Sequence, residues 1–134
     1  MSLKPSQEIE LKVIPDPYVT VRYAGASGDF NPIHIDEQFA LEVGLPGRIL
    51  HGLWTMAQVA RAHTEAAGGP EKLARLSVQF RGMGRLGEEI VVSGTVREVT
   101  GETVMVESEA VQSGKRIVRN ARAELLNDRA DRSG

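Results

Sequence analysis

"HGLWTMAQVARAHTEAAGG", His51 to Gly69, is the stretch on which the fold turns. From Leu53 to Ala67 it holds neither proline nor glycine, so it predicts one long helix. Leu53, Met56, Ala57, Ala60, Thr64 and Ala67 recur at helical spacing and are expected to form the buried face. Trp54, Gln58, Arg61 and Glu65 lie on another face, with Arg61 and Glu65 spaced as an i,i+4 ion pair. The expected buried stripe is narrow and alanine-rich, which lets a helix lie close to whatever it packs on. Gly68, Gly69 and Pro70 end the helix. His63, beside the stripe, reads as a packing or helix-end residue.

Beyond the helix the chain reads as strand. "ARLSVQF" (74–80) places Leu76, Val78 and Phe80 on one face, and "EEIVVSGTVREV", "ETVMVESEAVQ" and "KRIVRNARAELL" come after it. The breaks "GMGRLG", "TGE" and "SGK" are short enough for antiparallel neighbours, so a four-strand meander is expected. Before the helix, "EIELKV" (8–13) alternates as a short strand. A helix over 17–25 is expected, with Asp16 as its cap and Pro17 as its first residue. A further helix over 37–43 has Asp36 as its cap and is closed by Gly44 and Pro46. One sheet of about five strands around one long helix is an α+β arrangement.

The chain has 134 residues, enough for one domain spanning 1–134 with its core over about 8–126. "MSL" reads as a vector remnant and "NDRADRSG" (127–134) as a polar, frayed tail. Net charge is −2, without the basic excess that nucleic-acid binding usually shows. Cysteine is absent, which excludes disulfides, thiolate nucleophiles and cysteine-type metal sites. The N-terminal segment is too polar for a signal peptide and no apolar run is long enough to span a bilayer. The expectation is a cytoplasmic protein without nucleic-acid or membrane partners.

"GMGRLG", Gly82 to Gly87, matches a dinucleotide-binding pattern, but a strand comes after it where a helix N-terminus would have to hold the pyrophosphate. It reads as a glycine-rich connection.

"SGDFNPIH", Ser27 to His34, places an acid and an imidazole five residues apart. On a continuous helix Asp29 and His34 would point about 140° from each other. Pro32 pushes Asn31 out of the helical region, and Gly28 permits an unusual backbone before Asp29. The stretch is therefore expected to be a bent loop. By its residue types it is a structural turn; by its bend it is also able to aim two proton carriers at one place.

Over a longer span, "YAGASGDFNPIHIDEQFA" (23–40) resembles the signature of the MaoC-like, (R)-specific enoyl-CoA hydratase family. Tyr23, Ser27, Gly28, Asp29, Asn31, Pro32, Ile33, His34 and Ala40 sit at matching places. The His-Gly pair in "ILHGLWTMA" and the segment "VQFRGMGRLGEEIVVSGTV" are further marks, so the likeness covers about residues 18–125. Ala26, Ala60, Met83 and Glu88 depart from the family pattern and leave the acid–imidazole pair intact. The resemblance implies a hotdog fold, a long helix wrapped by an antiparallel sheet, and a homodimer or a multiple of it.

It also implies a reaction: reversible addition of water across the C2–C3 double bond of an enoyl thioester, carried by CoA or acyl carrier protein. Asp29 and His34 would hold one water and share the proton work. The N–H of Gly52, at the positive start of the long helix, would meet the thioester oxygen. Asn31 and Ser27 would support the loop, and His51 would fix the start of the helix by hydrogen bonding. Trp54 is either a core or dimer anchor or a wall limiting acyl length. No cofactor and no metal are implied, since the histidines at 34, 51 and 63 show no ligand spacing. A thioesterase would need a carboxylate on the long helix, where the only acid is Glu65, near the far end. A non-catalytic or co-catalytic subunit of a heteromeric dehydratase is the remaining alternative.

Overall fold

The computed structural model describes residues 3–127. Strand β1, Glu8–Val13, is followed by helices α1, Val19–Ser27, α2, Pro32–Ile35, and α3, Glu37–Glu42. The long helix α4, Gly52–Ala67, leads through a 3-10 turn, Pro70–Lys72, to β2, Leu73–Phe80. Then come β3, Ile90–Val99, β4, Thr103–Gln112, and β5, Lys115–Leu126. The strands form one antiparallel five-stranded sheet, and α4 lies against it. The α+β expectation holds, down to the bounds of β1.

The strand order is β1-β3-β4-β5-β2, which corrects the expected four-strand meander. Only β3, β4 and β5 run as a meander. β1 occupies the outer edge of β3, from Glu8 opposite Thr95 to Val13 opposite Ile90, so β2 pairs with β5 at the other edge. The Gly82–Gly87 connection therefore crosses the end of the sheet. It is tied down on the way, by the Leu50 N–H donating to the Gly84 carbonyl at 2.9 Å. The β3–β4 pairing depends on a glycine: a Cβ at Gly94 would stand 2.8 Å from Ser108 Cβ and 2.9 Å from the Glu107 carbonyl oxygen.

The face of α4 that packs is also a correction. Thr55, Val59, Ala62 and His63 are buried, whereas Leu53 is 64% exposed and Ala57 is exposed. Val59 and Ala62 join Val92, Ala110, Val118 and Ala121 of the sheet in one core cluster. With alanines distributed around the helix, two adjacent faces are similarly apolar, and periodicity does not choose between them. The sheet takes the face with the branched Val59. Arg61 and Glu65 do pair, at 2.8 Å.

Three ends differ from expectation. α1 starts two residues late, because Asp16 accepts from the Tyr18 N–H at 2.8 Å in a turn ahead of the helix. Leu3, which sequence reading left outside the core, is 6% exposed and packs with Ile9, Val96 and Val104. Asn127 donates its N–H to the Glu102 carbonyl at 2.9 Å, while the remainder of the expected tail, 128–134, lies outside the described residues, as do Met1 and Ser2. Asp36 caps α3 as expected, accepting from the Phe39 N–H at 3.0 Å. Among the described residues no helix is long and apolar enough to cross a membrane.

Candidate active site

α1 ends at Gly28, whose φ of 80° is the left-handed conformation that glycine adopts without penalty. From there a run of short bonds shapes the turn. Ser27 Oγ donates to the Tyr23 carbonyl at 2.7 Å and accepts the Asp29 N–H at 3.1 Å. Asp29 Oδ1 accepts the Asn31 N–H at 3.2 Å, and Asn31 Oδ1 accepts the Ile33 N–H at 3.2 Å. Asn31 is thus the N-cap of α2, with Pro32 as its first residue. The stretch expected to be loop throughout is a bend followed by one helical turn. That turn changes the chain direction between Asp29 and His34, so their side chains meet instead of diverging.

His34 is 7% exposed, and its Nδ1–H donates to the Ile49 carbonyl at 2.8 Å. The Ile49 N–H returns a bond to the Ile33 carbonyl at 3.1 Å. A carbonyl only accepts, so Nδ1 carries the proton and Nε2 of the neutral ring is an acceptor. Nε2 stands 3.9 Å from Asp29 Oδ2, and the Asp29 side chain is 54% exposed. One of the two groups is buried and braced, and the other reaches solvent.

His51 completes the cluster in a way its expected role did not describe. It occupies the N-cap position of α4 yet makes no side-chain capping bond. Its Nε2–H instead donates to the main-chain carbonyl of Asp29 at 3.0 Å. Its ring stacks on His34, with centroids 3.8 Å apart and planes 22° apart, and meets the Tyr23 ring at 4.7 Å. His51 is 2% exposed, and its Nδ1 is buried with no hydrogen-bond partner among the described residues. His63 is elsewhere, on the inner face of α4: its Nδ1–H donates to the Val59 carbonyl at 2.7 Å and its Nε2 meets Ser108 Oγ at 3.2 Å. Burial pushes the His63 pKa down from the usual 6.5, against the raising effect of the Val59 bond.

Gly52 is the first residue of α4, so its N–H has no acceptor within the helix. A Cβ there would meet the Phe80 ring at 3.5 Å, an ordinary contact. Trp54 is half-buried, packs against the core cluster of Val59 and Ile90, and lines a surface depression shared with Ile14, Tyr23 and Arg61. Sequence reading passed over three participants. The Ile49 carbonyl is main chain and leaves no side-chain signal. Tyr23 was visible as the aromatic at the head of the signature, and Phe80 as one of three apolar residues on one face of its strand.

The fold brings together what linear spacing does not: ligand atoms of Asp29, His34 and His51 lie within 4.8 Å of one another. They are poorly arranged for a cation. His34 Nδ1 and His51 Nε2 are spent on carbonyls, and nearly parallel stacked rings aim their in-plane lone pairs side by side instead of at a common point.

The family described as "MaoC like domain" matches residues 2–121. The 3-hydroxybutyryl-CoA dehydratase of Methylorubrum extorquens is 30% identical over 123 residues, covering 85% of this chain and 78% of that protein. A fatty acid synthase beta subunit of Cochliobolus carbonum is 30% identical over 119 residues, covering 81% of this chain but only 5% of that far longer protein. The chain thus spans about a twentieth of that relative's length. The unliganded R-hydratase PhaJ1 of Pseudomonas aeruginosa superposes with a TM-score of 0.85 at 25% identity, covering 93% of this chain and 82% of that one.

Proposed function

The chain belongs to the MaoC-like dehydratase family, and from that premise we propose that it catalyses the reversible hydration of a trans-2-enoyl thioester to an (R)-3-hydroxyacyl thioester. The observation that carries the reading is the gap between His34 Nε2 and Asp29 Oδ2. At 3.9 Å it is too wide for a direct hydrogen bond and suits one water bonded to both.

In the hydration direction that water attacks C3 while the pair takes its proton. The electron pair of the double bond moves toward the thioester carbonyl, giving an enolate. Its oxygen receives the Gly52 N–H, at the end of α4 where the helix dipole favours negative charge. The pair then returns a proton to C2, so that H and OH are added and the site is restored. His51 holds the Asp29 main chain and stacks on His34, which keeps both groups in place.

We further propose that the working form is a homodimer or a multiple of it. β2 is an edge strand, and Phe80 at its end is 46% exposed beside Gly52, as is Leu53 at 64%. A partner would cover this apolar surface and close an acyl pocket over Gly52.

The test is to purify the chain alone, supply crotonyl-CoA, and follow loss of the conjugated enoyl absorbance and the chirality of the product. Hydration to the (R)-alcohol is expected. The (S)-alcohol would overturn the stereochemical assignment, and no hydration would favour a subunit that needs a different partner.

A further inference from the structure

Gly84 lies buried near the middle of the Gly82–Gly87 connection. A Cβ there would stand 2.7 Å from Leu50 Cδ1 and 3.4 Å from Leu50 Cβ, so the two segments approach this closely because residue 84 has no side chain. The Leu50 N–H donates to the Gly84 carbonyl at 2.9 Å, and Ile49 pairs with Arg85 in an antiparallel bridge.

These contacts belong to a longer line of bonds that starts in the proposed site. His34 Nδ1–H donates to the Ile49 carbonyl at 2.8 Å. That carbonyl shares a peptide plane with the Leu50 N–H, which donates to the Gly84 carbonyl. The Gly84 carbonyl in turn shares a plane with the Arg85 N–H, which donates to Gln112 Oε1 at 2.8 Å. Three hydrogen bonds thus run head to tail from the His34 imidazole, through two peptide units, to the side chain of Gln112 at the end of β4. Gln112 is 4% exposed, and its Nε2 donates to the Arg85 and Glu88 carbonyls, both at 2.9 Å, so its amide is held at both of its polar atoms.

Bonds aligned in one direction polarise one another: a peptide that gives away its N–H has a more negative carbonyl. The Ile49 carbonyl therefore grips the Nδ1–H more firmly than an isolated carbonyl would. That keeps the proton on Nδ1 and leaves the Nε2 lone pair facing Asp29. A peptide unit bonded at both edges also resists rotation, which fixes the direction of the ring it holds. We propose that Gln112 is a positioning residue for the reaction: acting through the Gly84–Arg85 and Ile49–Leu50 peptides, it sets the orientation and the Nδ1–H tautomer of His34. The kinetic consequence rests on the hydratase reading above, and the spectroscopic consequence does not.

The experiment uses two variants that break the line at different places. Gln112→Met keeps the length of the side chain and removes its bonds. Gly84→Ala leaves Gln112 in place and drives Leu50 away. Val104→Ala, in the core cluster of Leu3 and Ile9, is the control for lost stability alone. Each protein is measured by steady-state kinetics on crotonyl-CoA and by proton–nitrogen NMR of its imidazoles, the His34 signal being assigned by its loss in His34→Ala. Both line-breaking variants are expected to lower kcat on the order of 10-fold, with KM within about twofold of wild type. In both, the His34 Nδ1–H signal should shift or be lost to exchange. Val104→Ala should melt lower, with kcat and the His34 signal as in wild type. A wild-type His34 signal in folded Gln112→Met would overturn the proposal, as would the same spectral and kinetic losses in Val104→Ala. If Gln112→Met does not fold, Gly84→Ala decides by the same two readouts. Wild type inactive on crotonyl-CoA would sink the hydratase reading instead, while the His34 signal still decides the positioning.

Discussion

The imidazoles of His34 and His51 lie stacked at 3.8 Å between centroids, although seventeen positions separate them in the chain. Each ring is anchored by one nitrogen to a main-chain carbonyl, His34 to Ile49 and His51 to Asp29. The two bonds cross-link the turn that carries the acid to the segment that starts α4. A displacement of either histidine therefore moves the other's partner, and the geometry of Asp29 depends on both.

Asp29→Asn and His34→Ala should each lower hydratase turnover by a factor on the order of 10² or more. On the proposal that both serve one water, the double variant should be little worse than the poorer single one. Steady-state kinetics on crotonyl-CoA with circular dichroism on each variant decide this. Near-native turnover in either single variant would remove that residue from the pair.

His51→Ala should lose both stability and activity. It empties a buried site and leaves the Asp29 carbonyl without its donor, at a cost of about 1–3 kcal/mol. His51→Phe retains the stack on His34 and Tyr23 and gives up only the bond to Asp29. It should recover part of the stability while kcat stays low. A fully active, fully stable His51→Ala protein would leave His51 without a positioning role.

Gly52→Ala should fold with unchanged or slightly higher melting temperature. Alanine suits a helix better than glycine, and the new methyl meets the Phe80 ring at 3.5 Å without a clash. A methyl beside the proposed oxyanion donor should nevertheless depress kcat, approaching the roughly 10²–10³-fold loss seen when such a donor is removed. The comparison is melting temperature beside kcat. Unchanged kcat would take Gly52 out of the mechanism.

His63 should make the fold acid-sensitive. Its folded pKa lies below the ordinary 6.5, because burial disfavours the charged ring. As pH falls through 6.5 the unfolded chain binds a proton that the folded one does not, so stability is full above that pH and declines below it. The decline is at most about 1.4 kcal/mol per pH unit, and it ends at the folded pKa. Urea unfolding between pH 7.5 and 5 measures it. His63→Leu combined with Ser108→Ala should flatten this part of the profile, and an unaltered slope would assign the acid sensitivity to other groups.

Multi-angle light scattering at micromolar protein should give a mass of at least twice the 14.6 kDa chain. Leu53→Glu, on the exposed side of α4, should shift the protein toward monomer and reduce activity with it. A monomeric and active wild type would contradict the proposed assembly.

The sequence by itself determined the strands, the long helix and the family, but not the single helical turn α2. Period-two alternation marked the strands, absence of breakers marked α4, and the spacing Gly28-Asp29-x-Asn31-Pro32-x-His34 marked the turn. These are local properties, written in consecutive residues. The tertiary structure alone decided the strand order, because β1 and β2 compete for edges and nothing local in β2 records that β3 is already taken. It decided which face of α4 is buried, because alanine makes neighbouring faces nearly equal and the sheet's own side chains choose. It also decided the use of His51. The residue sits at a helix N-cap, where local chemistry suggests capping, but its ring finds a better acceptor in a carbonyl twenty-two positions away and a stacking partner in His34. Contacts made across such separations depend on the folded path of the chain, which a local spacing does not encode.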